Sequence, residues 1–144
     1  MNGNNTKKAT RVFVSHDRRD QQFATALSEA LRAQGVDIFD PLSPLQARPG
    51  DDWADERLDE LRNSDFVVFV VPRFEGEGVN ALAELGAARA LGKTIVPVVP
   101  EPAWYASGSI ASVVSGQSAL DASRFSSEEL AKAILARGAL EHVG

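Results

Sequence analysis

Glu84 is the only acidic residue in the stretch Ala81-Leu82-Ala83-Glu84-Leu85-Gly86-Ala87-Ala88-Arg89-Ala90-Leu91-Gly92. A segment this apolar reads as a helix packed on most of its circumference. Taking a carboxylate out of water is costly unless something pairs with it, so an acid placed there is a candidate for chemistry that uses a sheltered negative charge. The alternative is a partly exposed Glu near the start of its own helix, where a negative charge suits the macrodipole. Deciding between the two requires the elements that position it.

The chain has 144 residues, 44% of them hydrophobic and 24% charged. Those proportions fit one ordinary globular domain, long enough to bury a substantial core without staples. No Cys is present, which excludes disulfides, cysteine zinc ligands and a thiol nucleophile and suits the cytoplasm, the expected compartment. No metal site is expected. A net charge of -5 argues against nonspecific binding to nucleic acid or to anionic membranes. The start, Met1 to Lys8, lacks the apolar core of a signal peptide, and no apolar run approaches the roughly 20 residues of a membrane span. Residues 1–9 are expected to be a disordered tail, with one domain over 10–144.

Strand-like and helix-like segments alternate along the chain. Arg11 to Ser15 is β-branched and aromatic and reads as a strand. From Asp20 to Gln34, the residues Phe23, Ala26, Leu27, Ala30 and Leu31 fall at helical spacing, and Gly35 stands where a left-handed C-cap is expected. Val36 to Phe39 is a second strand, followed by a loop, Asp40 to Gly50, holding Pro41, Pro44 and Pro49. Asp51 can cap a helix running to about Asn63, with Trp53, Leu58 and Leu61 inward. Phe66 to Val71 is apolar without interruption, the pattern of a strand covered on both faces. The Glu84 helix follows, then a fourth strand, Thr94 to Val99, in which Pro97 removes a ladder donor and predicts irregular or missing pairing. Between Pro100 and Gly116 only Ile110, Val113 and Val114 suggest a short helix. Ser118 to Leu120 suggests an edge strand. Ser126 and Glu129 form a capping box for the last helix, with Phe125 and Leu130 placed as its hydrophobic staple.

This alternation predicts an α/β three-layer sandwich around a five-stranded parallel sheet in the flavodoxin-like order 2-1-3-4-5. Ligands in such sheets bind beyond the carboxyl ends of the strands, where the winding reverses between strands 1 and 3. Three loops should meet there: Ser15-His16-Asp17-Arg18-Arg19, Asp40 to Gly50, and the segment leading into Glu84.

The motifs in sequence order resemble the Toll/interleukin-1 receptor (TIR) domain family, bacterial type. They are Val12-Phe13-Val14-Ser15-His16-Asp17, then Leu31-Arg32-Ala33-Gln34-Gly35-Val36, then Arg48-Pro49-Gly50-Asp51-Asp52-Trp53. Asn63-Ser64-Asp65-Phe66-Val67-Val68 follows, and last Glu84-Leu85-Gly86-Ala87-Ala88-Arg89-Ala90-Leu91-Gly92-Lys93 with Ile95-Val96-Pro97-Val98. The likeness covers about residues 10 to 137. A proline at this point of the fourth strand is common in the family.

The resemblance implies NAD⁺ as substrate, with hydrolysis or cyclisation that releases nicotinamide, and no separate cofactor. Most glycoside cleavage needs two carboxyl groups, one of them to protonate the leaving oxygen. Nicotinamide is cationic while attached and departs neutral, so one carboxylate that grips the ribose and steadies an oxocarbenium-like carbon can suffice. Glu84 matches the family's catalytic glutamate. Ser15, His16, Asp17 and Arg18 match the loop that borders the nucleotide. Arg18 is either a phosphate contact or a solvated charge, and His16 either a base or a hydrogen-bonding wall. Trp53 either stacks on a ring or joins the core. Asp40 and Arg48 belong to the BB loop, Asp40 to Gly50, which implies homotypic self-association and gating. Many NAD⁺-cleaving members carry a Trp four residues before the glutamate; here that position is Asn80.

Three function classes stand. The first is an NAD⁺ nucleosidase of bacterial antiphage immunity, activated by self-association and acting with other parts of a defence system. The second is a noncatalytic TIR interaction module. The third is an enzyme like the nucleoside 2-deoxyribosyltransferases, which the Glu84 to Lys93 motif also resembles; Ser15-His16-Asp17 stands where that family has a Gly-Pro. A Rossmann dehydrogenase is disfavoured, since no G-x-G-x-x-G follows strand 1. A response regulator is disfavoured by Val71-Pro72 at its phosphoacceptor position.

Overall fold

Every residue of Phe66–Val70 is buried, as the uninterrupted apolar run predicts for a strand sandwiched between two helical layers. The computed structural model describes residues 10–41, 53–71, 79–100 and 119–143. Its elements are β1 (Arg11–Ser15), α1 (Gln21–Arg32), β2 (Asp37–Phe39), α2 (Trp53–Asn63), β3 (Phe66–Val70), α3 (Val79–Ala90), β4 (Thr94–Val99), β5 (Leu120–Asp121) and α4 (Ser127–Val143). The five strands form one parallel sheet in the order β2-β1-β3-β4-β5, so the predicted topology holds. The expected tail over residues 1–9, the BB-loop residues after Pro41 and the short helix near Ile110 lie outside the described residues.

Strand alternation splits the core in two. Val12, Val14, Phe66, Val68, Val70, Val96 and Val98 face Leu27, Leu31, Leu130 and Ile134 of α1 and α4. Phe13, Val67, Phe69, Ile95 and Val99 face Leu61 of α2 and Leu85 and Ala88 of α3. Because successive side chains point to opposite faces, Ser15 projects on the same side as Phe13, toward α2 and α3.

The helix ends follow local chemistry. Gly35 has φ 89, the left-handed conformation expected after α1. At α4, Ser126 N–H donates to Glu129 Oε1 at 2.9 Å and Glu129 N–H to Ser126 Oγ at 3.1 Å, so the capping box forms as predicted. Phe125 and Leu130 join one core cluster. Farther along α4, a Cβ at Gly138 would meet the Phe66 ring at 2.6 Å; the missing side chain lets the helix lie close to the sheet.

Some expectations are corrected. The inward face of α1 is Ala24, Leu27, Ser28 and Leu31, while Ala26 is exposed; an alanine at the edge of a face costs little to expose. Among the residues of the Glu84 helix whose side chains are described, Ala83, Gly86, Arg89 and Ala90 are exposed and Glu84, Leu85 and Ala88 are buried, so this stretch is not packed on most of its circumference. Small residues supply low hydrophobicity per turn, so an all-round apolar pattern made of Ala and Gly does not demand all-round burial. Val36 is left out of β2, and the edge strand is Leu120–Asp121, with Ala119 before it and Ser118 outside the described residues.

Pro97 interrupts nothing on the β3 side, where it stands in register with Phe69. Val98 C=O accepts from Val71 N–H at 2.9 Å, so Val98 faces β3 and the backbone of Pro97 faces β5. Pairing with β5 starts only at Val98. The lost donor therefore falls just before the described start of β5, where it breaks no described ladder bond.

Lys93 ties the two helices of one layer together. Its ammonium donates to the carbonyls of Arg62 and Ser64, at 2.7 Å each, closing the C-terminal end of α2 from the loop after α3. A cation at a helix C-terminus satisfies orphan carbonyls and the dipole together. Lys93→Met is expected to cost about 1–2 kcal/mol, read as a fall of a few degrees in the thermal midpoint. An unchanged midpoint would show the contact to be idle.

Candidate active site

The site grows from two facts of placement. β1 ends at Ser15, beside the point where the winding reverses, since β2 lies on one side of β1 and β3 on the other. α3, which follows β3, brings Glu84 back over β1. Ser15 Oγ donates to Glu84 Oε1 at 2.7 Å, between residues 69 apart in sequence. Both are buried.

Arg57 of α2 completes the carboxylate's setting, with Nε 3.9 Å from Glu84 Oε2. Its position, one helical turn before the buried Leu61, turns it inward. Phe13, Arg57, Leu58, Leu61, Ala83, Glu84 and Ala87 line a cleft of about 160 Å³ between α2 and α3. That volume is close to that of a cavity which accepts one benzene ring, and its walls are mostly apolar.

Glu84's pKa is raised. Burial is the main cause, and the charge of Asp40 adds to it; the Ser15 hydrogen bond, Arg57 and His16 offset part of the effect. Burial thus disfavours the charged carboxylate, and the Ser15 hydrogen bond, Arg57 and His16 act in the opposite sense.

His16 is buried and locked. Its Nε2 lies 2.7 Å from Asp40 Oδ1 and its Nδ1 2.7 Å from the Asp17 carbonyl oxygen. A neutral imidazole donates from one nitrogen only, so the doubly protonated ring is the form that satisfies both acceptors. Burial works against that charge, yet the hydrogen bond and charge of Asp40, the Asp17 carbonyl and Glu84 together raise the pKa. Asp40 Oδ2 accepts from Gln21 Nε2 at 3.0 Å. Both His16 nitrogens are engaged within the protein, and the residue does not line the cleft.

The remaining expected residues divide clearly. Asp17 is half-buried and its side chain accepts from Arg19 N–H at 2.9 Å, which starts a short 3-10 turn, Arg18–Asp20. Arg18 is exposed. Asp40 closes β2 in the buried pair with His16 and does not line the cleft. Trp53 opens α2 and Asn80 lies in the first turn of α3; only their backbone positions are described, and Arg48 lies outside the described residues. Arg57 and Gln21 escaped the sequence reading. The helical spacing Arg57–Leu61 was the available signal for the first; none pointed to the second. Among the described residues, no group of three His, Asp or Glu could hold a metal ion, and no helix is long and apolar enough to cross a membrane.

A parallel α/β domain with a buried carboxylate at its topological switch point is the class that this fold and site define. The chain belongs to the TIR domain family, whose sequence profile matches residues 12–135. No curated protein sequence matches the chain. Among solved structures, it is similar to the TIR domains of the activated Roq1 resistosome recognising the pathogen effector XopQ. That match has a TM-score of 0.67 at 18% identity, over 89% of this chain and 98% of that one. It is also similar to the CMP N-glycosidase BcmB of Clostridium botulinum, with a TM-score of 0.58 at 17% identity, over 88% and 98% of the two chains. A 2-desoxiribosyltransferase from Leishmania mexicana gives a TM-score of 0.61 at 15% identity, over 88% and 96%. At such identities these likenesses speak for the fold.

Proposed function

We propose that this TIR domain is an NAD⁺ nucleosidase in which Glu84 is the catalytic anion, with a role in bacterial antiphage immunity. The observation that carries the reading is the buried Glu84 carboxylate, steadied by Ser15 at the rim of a ring-sized apolar cleft. In the reaction, the bond between the ribose C1′ and the nicotinamide nitrogen breaks, and its electron pair neutralises the cationic ring. Nicotinamide leaves without needing a proton. The developing charge at C1′ faces the carboxylate, whose value rises in a site that excludes water. Water then adds at C1′ and loses a proton to give ADP-ribose, or a nitrogen of the same molecule adds to give a cyclic product. That a CMP N-glycosidase and a 2-desoxiribosyltransferase share this fold supports a site of this shape for chemistry at a nucleoside C1′.

One observation favours a second reading, a noncatalytic interaction module: Asn80 stands where many NAD⁺-cleaving members have Trp. Incubating the purified chain with NAD⁺, with and without a crowding agent, and resolving the products chromatographically decides between them. Release of nicotinamide is expected; its absence under both conditions favours the interaction module. A deoxyribosyltransferase would instead move a base between deoxyribosides and leave NAD⁺ intact.

Self-association through the BB loop, Asp40 to Gly50, is expected to raise activity. Nicotinamide release per molecule should therefore climb with protein concentration. A flat specific activity across a roughly hundredfold dilution series, about 2.8 kcal/mol in association free energy, would count against an assembled site.

A further inference from the structure

Glu84 is held from two sides in different ways, and the difference assigns Arg57 a task. The Ser15 hydroxyl makes a short hydrogen bond to Oε1, at 2.7 Å. The Arg57 Nε stands 3.9 Å from Oε2, beyond hydrogen-bond range but close enough to act through charge. Arg57 and Glu84 share the wall of the apolar cleft, and their side chains are 25% and 10% exposed. The cation therefore lies on the open side of the carboxylate and Ser15 on the closed side.

Resting on the nucleosidase reading above, we propose that Arg57 is a positioning residue of this site: its guanidinium keeps Glu84 ionised and directed along the cleft while leaving Oε2 able to accept from a sugar hydroxyl. Ser15 fixes where the carboxylate sits and favours its ionised form through a hydrogen bond, and Arg57 favours the same form through charge alone. The groups that face Glu84 from the packed elements are Ser15 and His16 from the end of β1, Asp40 from the end of β2 and Arg57 from α2. Burial and Asp40 push its proton affinity up; Ser15, Arg57 and His16 push it down. His16 is itself committed to Asp40, so Arg57 is the cation of the set that meets the carboxylate directly.

Loss of the guanidinium raises the Glu84 pKa further, and the ionised, active form is lost at a higher pH than in the parent. The full chain is prepared as the parent and as Arg57→Met, Arg57→Lys and Glu84→Gln. Methionine keeps much of the apolar stem without the charge, and lysine keeps the charge without the guanidinium. The Glu84 carboxyl carbon is titrated by ¹³C NMR without substrate, its signal being the one missing from Glu84→Gln. Arg57→Met is expected to move the midpoint up by about one pH unit, and Arg57→Lys by less than half of that. The acid limb of kcat/KM for nicotinamide release should move by the same amount in each variant.

A midpoint that stays in place in a folded Arg57→Met protein overturns the proposal, and so do equal shifts in the Met and Lys variants, which would mark a packing effect. The carboxyl titration needs no turnover, so it separates the two ideas. If the midpoint moves while the parent releases no nicotinamide, the enzyme reading fails and Arg57 still governs the charge of Glu84.

Discussion

Glu84→Gln is expected to lower nicotinamide release by a factor of about 100 to 1,000 or more while leaving the fold intact. Glutamine has the shape of glutamate and keeps an oxygen to accept the Ser15 hydroxyl, whose bond to Oε1 anchors the side chain. What disappears is the negative charge that faces C1′ as nicotinamide departs. The same substitution should be neutral or favourable for stability, and the sign can be worked out. The folded-state pKa of Glu84 is raised, chiefly by burial. The stability associated with its bound proton is therefore fully present below the ordinary glutamate value and lost as pH rises through the raised folded value. Glutamine carries no such penalty, so the gap in thermal midpoint between variant and parent should open across that window. A variant that releases nicotinamide at the parent rate would remove Glu84 from the chemistry. A variant that unfolds would place the carboxylate in the fold instead.

Asp40→Ala is the substitution with the largest expected cost to stability, about 3–5 kcal/mol. It strands the His16 ring, whose Nε2 faces Asp40 Oδ1 at 2.7 Å with the two side chains 0% and 3% exposed, and it removes the acceptor for Gln21. A domain of this size typically has about 5–15 kcal/mol in hand, so the loss consumes a large share. Asp40→Asn retains an oxygen for Nε2–H and should cost less, about 1–3 kcal/mol. The pair also imposes a pH dependence. The His16 pKa is raised against the effect of burial by Asp40, the Asp17 carbonyl and Glu84. Its contribution is complete below the ordinary histidine value and fades as pH rises through the raised one. Thermal midpoints measured from mildly acidic to mildly alkaline pH should fall over that interval in the parent and fall less in Asp40→Asn. Equal slopes would mean that the ring is neutral in the folded state and that one of its two contacts is not a hydrogen bond.

These expectations concern residues of uneven legibility. The elements were readable because their signals are local. A capping box spans four residues of α4, a C-cap glycine ends α1, and an unbroken apolar run marks β3. Glu84 was readable as well, since a lone acid among small residues stands out within one helix. Arg57 was not, although it lies one turn from Leu61, because α2 carries several charged residues and nothing local says which one points into the cleft. The sequence places Asp40 at the start of the BB loop, and its contacts with His16 and Gln21 have no local signal. Its partner lies 24 residues away, and that distance is bridged only by the pairing of β1 with β2. The exposed flank of α3 shows the converse error: a pattern of Ala and Gly looks apolar all round but draws too little from burial to compel it.

The chain's order of strands and helices, the parallel sheet and the position of its catalytic candidate were set by short-range patterns of side-chain type, because periodicity and capping act within a few residues. The charge states were not. Ser15 meets Glu84 across 69 residues, and Arg57 and His16 reach the same cluster from separate elements. Each pKa depends on which charges the register of the sheet brings within a few ångströms and on how much water is excluded around them. Those are properties of the assembled sandwich, and they decide what Glu84 can do.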